Sequence, residues 1–217
     1  MIRRTAAVLI ASSLAGCTYT AVKTQCPACV VFDRHTPAAP VEGGVRVVFV
    51  LVPGLLGFGW EWDEPIVLLR AHPASALQVF EWSPRATLAG ATADFVRRTN
   101  QLLAALPDSV ERVVVLGHSA GGLLTAKGAG ALQVPPGRRL SIVNVGVPYA
   151  GMHRLLAEMG ADFDHASIVI ALGGDLARYP APAPRVDVTS YDTSWPDDPV
   201  MQPIAGHRPD DPRVGPP

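Results

Sequence analysis

The chain has 217 residues, of which 48% are hydrophobic and 17% are charged. This size suits one domain with a substantial buried core and is too small for two ordinary enzyme domains. The formal net charge is -1 and no run of lysines or arginines occurs, so the sequence argues against nucleic acid as a partner.

The N-terminus has the pattern of an export signal. Two arginines precede an apolar run over residues 5–14, which at about ten residues is too short to span a bilayer as a helix. The Leu-Ala-Gly-Cys sequence that ends at Cys17 resembles the lipobox of bacterial lipoproteins. The resemblance implies a signal peptide of residues 1–16, acylation of Cys17 and a lipid anchor in the bacterial cell envelope. Thr18 favours the periplasmic face of the outer membrane, and the alternative is an ordinary secretory signal.

Residues 17–44 are rich in Pro, Thr and Ala without helical or strand periodicity, so we expect a spacer before a folded domain of residues 45–217. Cys26 and Cys29 form a C-x-x-C pair within this spacer. In an exported protein such a pair indicates a structural disulfide. A redox site would instead lie between a strand and a helix, and a zinc site would need further ligands nearby.

The remaining sequence alternates between two patterns. Continuous β-branched apolar runs predict buried strands, and longer stretches with an apolar stripe or many Ala and Leu residues predict helices. The predicted strands are 45–52, 77–82, 113–116, 140–147, 167–172 and 185–190, and the predicted helices are 88–106, 120–132 and 152–159. This alternation predicts an α/β fold with a mostly parallel sheet and helices on both faces. The Pro-rich C-terminal segment is not expected to form a regular helix.

The most informative motif is Gly117-His118-Ser119-Ala120-Gly121, between a predicted strand and a predicted helix. A G-x-S-x-G nucleophile elbow requires this context. The turn strains the backbone of Ser119 so that its Oγ projects from the sheet edge, and a side chain at either glycine would collide with neighbouring elements. The alternative is a tight turn whose serine only caps the helix. We expect His118 to pack structurally.

With this motif, the chain from about residue 45 to 204 resembles the α/β-hydrolase superfamily, particularly small lipases and esterases. The strand at 45–52 and the following Pro53-Gly54-Leu55-Leu56-Gly57 resemble the first core strand and oxyanion loop of the family, although Pro53 replaces the usual histidine. The segment Val145-Gly146-Val147-Pro148 resembles the turn on the strand after the nucleophile helix. The short spacing between Pro148 and the next predicted strand leaves no room for a large cap. The resemblance implies catalysis without a cofactor or metal, and an oxyanion hole formed by the backbone amides of Leu55 and Ala120.

The family order implies an acid and then a histidine after the serine. Of the three later histidines, only His207 follows every predicted strand, in a small-residue loop. Asp175, which ends an apolar run, is the preferred acid. Asp198 is the rival, because its segment resembles the acid turn of many hydrolases, but it lies only nine residues before His207. Asp192 and Asp197 are the remaining candidates.

These features predict a serine hydrolase that cleaves small-molecule or lipid carboxylic esters through an acyl-enzyme. The aromatic residues Phe58, Trp60 and Trp62 either line an acyl pocket or pack in the core. Two other hypotheses stay open. One is a catalytically impaired lipoprotein of the same fold with a binding or envelope-assembly role, and the other is an acyltransferase or thioesterase that uses the same serine.

Overall fold

The computed structural model describes residues 26, 29–54, 62–83, 86–147 and 181–191. In chain order, the elements are β1 (Val30–Phe32), β2 (Val47–Val52), α1 (Asp63–Ala71), β3 (Ser75–Phe80), α2 (Leu88–Ala105), β4 (Arg112–His118), α3 (Ala120–Gly128) with a 3-10 turn (Ala129–Ala131), β5 (Arg139–Val145) and β6 (Val186–Tyr191). The helix predicted at 152–159 and the strand predicted at 167–172 lie outside the described residues.

The six strands form one sheet in the order β1-β3-β2-β4-β5-β6, and every neighbouring pair is parallel. The predicted α/β fold with a parallel sheet is therefore confirmed. From β2 the chain moves to one side of the sheet to form β3, whereas from β4 it moves to the other side to form β5 and β6. This reversal opens a crevice at the carboxyl ends of β2 and β4, where open α/β sheets bind their ligands.

Helices cover both faces of the sheet, as the sequence predicts. Alternate side chains of each strand point to opposite faces. On one face the strands pack against α2 and α3 in a core that includes Val48, Val50, Val113, Val115, Phe95 and Leu124. On the other face Phe49, Leu51 and Val79 pack against Ile66 of α1. None of the described helices is long and apolar enough to cross a membrane.

The folded domain begins earlier than the predicted boundary at residue 45. β1 lies within the predicted spacer of residues 17–44 and pairs with β3 at the edge of the sheet. Phe32 of β1 is fully buried, and its ring packs 5.4 Å from that of Phe80. A strand of three residues is too short to show an alternating pattern, which explains why the sequence indicates a spacer there.

A disulfide joins Cys26 and Cys29, the pair that the sequence predicts to be oxidised. The two residues are 0% and 1% exposed, respectively, and they belong to the same buried cluster as Trp62 and Ile66. The disulfide therefore lies in the core on the α1 side of the sheet, where it replaces apolar side chains, and not in a solvated spacer.

The helix α1 is absent from the sequence predictions. It has nine residues, with Asp63 and Glu64 in its first turn, where acidic side chains complement the helix dipole. Only Ile66 among its residues is buried. So short a helix with one buried contact gives little periodic signal, which explains its omission.

Candidate active site

Ser119 is the single residue between the end of β4 and the start of α3. Its φ of 52° and ψ of -124° lie in a region that non-glycine residues rarely adopt. Such a conformation costs of order 1–3 kcal/mol and persists only where the surroundings fix it. Here the Ser119 N–H donates to the Val145 carbonyl at 3.0 Å, and the Ser119 carbonyl accepts from the Gly122 N–H at 3.0 Å. The elbow is thus held by both β5 and α3.

The Ser119 side chain does not cap α3. Although it stands at the N-cap position, it makes no capping hydrogen bond. Thr87, at the same position of α2, accepts a hydrogen bond from the Gly90 N–H at 3.1 Å. The capping alternative is therefore wrong for Ser119, which is half-buried at the carboxyl edge of the sheet.

Close packing explains both glycines of the motif. A Cβ atom at Gly117 would lie 2.5 Å from the Asn144 Oδ1 atom. A Cβ atom at Gly121 would lie closer than 3.0 Å to the carbonyl oxygens of Val52 and Pro53. The first turn of α3 therefore packs directly on the backbone at the end of β2, and this contact brings the turn at Ser119 next to Val52 and Pro53.

A buried polar pair lies behind the elbow. The Thr125 hydroxyl donates to the Asn144 Oδ1 atom at 2.6 Å, and both residues are 0% exposed. Because an unmade buried hydrogen bond is costly, this pair fixes α3 against β5 below Ser119. The sequence predictions do not include the pair, and its one signal is a polar Asn144 within an apolar strand.

The entrance of the predicted oxyanion loop lies against Ser119. Gly54 is buried, and a Cβ atom there would lie 3.1 Å from the Ser119 Cβ and 3.5 Å from its Oγ. The Trp82 Nε1–H donates to the Pro53 carbonyl at 2.9 Å. Leu55 itself lies outside the described residues.

Ala120 is the first residue of α3 and is 1% exposed. The first N–H groups of a helix have no partner within the helix, and they lie at its positive end. The Ala120 amide is therefore available, by position, to an anion next to the Ser119 side chain.

His118 packs on the opposite side of the elbow from the α3 core. Its ring meets the Trp62 ring edge-on, with 6.2 Å between centroids and 88° between planes. Trp62 is 4% exposed and belongs to the α1-side core. Of the two roles weighed for Trp62, core packing is the one observed, whereas Phe58 and Trp60 lie outside the described residues.

Two carboxyl groups lie at the same edge of the sheet, near the ends of β1 and β3. Burial raises the pKa of Glu81, and the negative charge of Asp33 raises it further. Burial also acts to raise the pKa of Asp33, but backbone hydrogen bonds from Thr36 and His35 outweigh it and lower that pKa below its usual value. Glu81 follows β3, which is two strands from β4, so about 10 Å separates it from the elbow.

The structure thus brings Ser119 and Ala120 together at the crevice and places Cys26 and Cys29 in the core. The predicted lipidation site, oxyanion donor, base and acids lie outside the described residues: Cys17, Leu55, His207, Asp175, Asp198, Asp192 and Asp197. Within the described ranges, no group of three or more His, Cys, Asp or Glu side chains could hold a metal ion.

Comparison with known proteins finds similarity among solved structures but not among family models or curated proteins. A scan against protein-family models matches none of them, and a search of curated proteins finds no match. Among solved structures, the chain is similar to the metagenomic carboxyl esterase MGS0156, with 19% sequence identity and a TM-score of 0.43. The similarity covers 72% of this chain and 51% of the esterase, so the chain spans about half the length of that protein.

Proposed function

We propose that this protein is a serine hydrolase of the α/β-hydrolase type that cleaves carboxylic esters. One observation supports this most directly: Ser119 has a strained backbone at a strand-to-helix turn, and its side chain does not cap the helix. A turn selected only for stability would use glycine at a φ of 52°. A reactive hydroxyl would explain why serine, and not glycine, occupies this strained position.

In the proposed mechanism, the Ser119 Oγ attacks the ester carbonyl carbon while His207 accepts the hydroxyl proton. The backbone amides of Leu55 and Ala120 stabilise the oxyanion. The imidazolium then protonates the leaving alcohol, and an acyl-enzyme remains. Water, deprotonated by the same histidine, attacks the acyl carbonyl and releases the acid. Asp175, or alternatively Asp198, orients the imidazole and balances its charge.

The register of the sheet supports a base from the C-terminal segment. His118, Val145 and Tyr191 are aligned across β4, β5 and β6, so β6 ends about 10 Å from the elbow. His207 follows Tyr191 by sixteen residues (191 to 207), which is ample chain for that distance. Asp175 belongs to the segment between β5 and β6, and β5 ends beside Ser119.

We also propose that the enzyme is a lipoprotein anchored through Cys17 in the bacterial envelope, with small-molecule or lipid esters as substrates. The lipobox pattern supports the anchor. Cys26 is already buried in the core, so nine residue steps separate the lipid from the folded domain (17 to 26). At roughly 3.3–3.6 Å per residue, the domain stays within about 30 Å of the membrane.

Labelling with a fluorophosphonate probe tests the nucleophile. We expect the wild-type protein to be labelled and to hydrolyse p-nitrophenyl esters, and Ser119→Ala to lose both. Ser75→Ala is the matched control, because Ser75 begins β3 at the opposite edge of the sheet. Folded wild-type protein that resists the probe would contradict the proposal and favour a binding or envelope-assembly role.

The acid and base are tested by turnover. We expect His207→Gln to reduce kcat by at least ~10³-fold, whereas His153→Gln and His165→Gln have little effect. Of Asp175→Asn and Asp198→Asn, only the triad acid should give a loss of about 10⁴-fold. Mild losses in both variants would exclude both residues as the triad acid.

Two further assays test the substrate class and the anchor. Product analysis with ester, thioester and alcohol acceptors separates hydrolysis from acyl transfer.

Cys17→Ser should abolish incorporation of labelled fatty acid and release the protein from the membrane fraction. Unchanged incorporation would disprove acylation at Cys17.

A further inference from the structure

The backbone of Ser119 is tied to β5 by two routes. In the direct route, the Ser119 N–H donates to the Val145 carbonyl. The indirect route begins at the Ser119 carbonyl, which accepts from the Gly122 N–H at 3.0 Å. The Thr125 hydroxyl lies 2.9 Å from the Gly122 carbonyl and 2.6 Å from the Asn144 Oδ1 atom, and it shares its single proton between these two acceptors. Both ends of the Ser119 residue are therefore joined to adjacent residues of one strand.

The first glycine of the motif makes room for the contact between Thr125 and Asn144. Gly117 is the partner of Asn144 in the sheet, and a Cβ atom there would lie 2.5 Å from the Asn144 Oδ1 and 2.9 Å from the Thr125 Oγ1. The preceding buried residues of β5 are the apolar Leu140 and Ile142, which point to the same face. An apolar side chain at position 144 would continue this core without the cost of burying a polar group. Core packing therefore does not explain an asparagine next to the elbow.

The conformation of Ser119 requires a restraint of this kind. A backbone with a φ of 52° and a ψ of -124° relaxes unless its surroundings fix it. Gly122 lies in the first turn of α3, so a hydrogen bond that fixes this turn against β5 also fixes the Ser119 carbonyl. The placement of a nucleophile matters for its rate, since a displacement of about 1 Å can cost ~10²-fold.

We infer that Thr125 and Asn144 are positioning residues for the nucleophile. Their buried hydrogen bond holds the first turn of α3 against β5, and so keeps Ser119 in the strained conformation from which its hydroxyl reacts. This inference rests on the proposed ester hydrolysis. Both side chains are 0% exposed, so neither contacts the substrate. Their effect therefore belongs to the reaction of Ser119 and not to substrate binding.

The first test removes the hydroxyl. Thr125→Val keeps the branched shape of the side chain without its hydrogen-bonding group. We expect this variant to lower kcat, and the rate constant of labelling by the fluorophosphonate, by about tenfold with little change in KM. Thr125→Ser keeps the hydroxyl and should therefore retain most of the wild-type rate.

Asn144→Leu tests the contact from its other side. Leucine has a similar shape but no acceptor, and the Thr125 hydroxyl keeps the Gly122 carbonyl as a partner, so we expect a folded protein. Its kcat should also fall by about tenfold. The double variant should lose no more than either single variant, because both substitutions remove one shared contact. A loss of about 100-fold in the double variant would show independent effects and overturn the shared role.

Thr99→Val is the matched control for the loss of a buried hydroxyl. Thr99 is also 0% exposed in a helix, α2, but its hydroxyl makes no hydrogen bond within the described part of the chain. We expect its kcat, KM and labelling rate to equal those of the wild type. Circular dichroism and thermal unfolding of every variant show which of them are folded at the assay temperature.

The failure of this inference is distinguishable from that of the proposed function. If the wild type reacts with the fluorophosphonate but Thr125→Val and Asn144→Leu keep its labelling rate and kcat, the positioning role is wrong and the proposed function stands. A change in KM alone, or a failure of both variants to fold, also overturns the positioning role, since the contact would then serve binding or the fold itself. An unreactive wild type overturns the proposed function, and the positioning role with it.

Discussion

At the amino edge of the sheet, Arg138 is 7% exposed, and its guanidinium group donates to the carbonyls of Leu103, Leu106, Pro107 and Val110. At the carboxyl edge, Ser119 occupies a strained conformation and leaves the start of α3 without a side-chain cap. The polar group at the first edge satisfies carbonyls that burial would otherwise leave unpaired. The polar group at the second edge contributes no comparable contact to stability. This difference is what the proposed catalytic role of Ser119 would require.

Backbone strain alone does not mark a functional residue. Ala74 and Arg185 also have positive φ values, of 53° and 65°, and they precede β3 and β6 at the amino edge. Ser119 differs from them because its strain coincides with a potential nucleophile, a helix start and the crevice between β2 and β4. The following predictions separate these factors.

The largest effect is expected for Ser119→Gly. Glycine adopts this φ without strain, so we expect the free energy of unfolding to rise by roughly 0.5–1 kcal/mol while kcat falls by at least ~10³-fold. Ala74→Gly should stabilise the fold similarly and keep full activity. Chemical denaturation and ester turnover measure both quantities. Equal ester turnover in Ser119→Gly and Ala74→Gly would contradict a functional difference between the carboxyl edge and the amino edge of the sheet.

The Gly121→Ala substitution should damage both stability and activity. Its Cβ atom would collide with the carbonyls of Val52 and Pro53, so the end of β2 and α3 must move apart. We expect a loss of about 3 kcal/mol in unfolding free energy and about 10²-fold in turnover. Gly43→Ala is the control, because a Cβ atom there meets nothing within 4 Å. A Gly121→Ala variant with wild-type turnover would contradict the described packing.

Arg138→Met should affect stability without affecting catalysis. It leaves four carbonyl acceptors without their donor, and we expect a loss of about 3 kcal/mol in unfolding free energy with an unchanged kcat. Arg46→Met is the matched control at the same edge: Arg46 pairs with Glu111, but its side chain is 63% exposed, so the loss should be below about 1 kcal/mol. A fall in kcat for Arg138→Met would show that the two edges are coupled.

The smallest effect is expected for Glu81→Gln. Burial raises the pKa of Glu81 in the folded state above its value in the unfolded state. The contribution of this carboxyl group to stability is therefore fully present below the unfolded pKa, and it is lost as the pH rises through the folded pKa. The substitution should therefore stabilise the protein slightly at pH 7, by less than about 1 kcal/mol, and have no benefit at pH 4. Denaturation at the two pH values measures the difference. A larger stabilisation by Glu81→Gln at pH 4 than at pH 7 would contradict a raised pKa of Glu81.

Strong local patterns allowed much of this fold to be predicted. The strand β2 is an apolar run buried on both faces, β4 and β5 alternate buried with half-buried residues, and α2 has a clear apolar stripe, so their observed bounds lie within a few residues of the predicted ones. The elbow was predictable because its glycines are required by close packing. The elements β1 and α1 were not predictable. They have three and nine residues, which show too little periodicity, and their stability comes from tertiary contacts.

The candidate site was only partly predictable for a related reason. Ser119 belongs to a compact motif whose chemistry and backbone geometry depend on adjacent residues. The contacts of Trp82 with Pro53, and of Thr125 with Asn144, join residues 29 and 19 positions apart. No local pattern encodes such contacts. Asp175, Asp198 and His207 stay predictions.

The buried disulfide would have a mechanical consequence under the proposed anchoring through Cys17. Cys26 is joined to Cys29 inside the core, in the same buried cluster as Trp62, whose ring packs edge-on against that of His118. Tension from an anchor at Cys17 would therefore reach the disulfide before it could pull β1 from the sheet edge. His118, which precedes Ser119, thus packs against the same buried cluster that contains the disulfide.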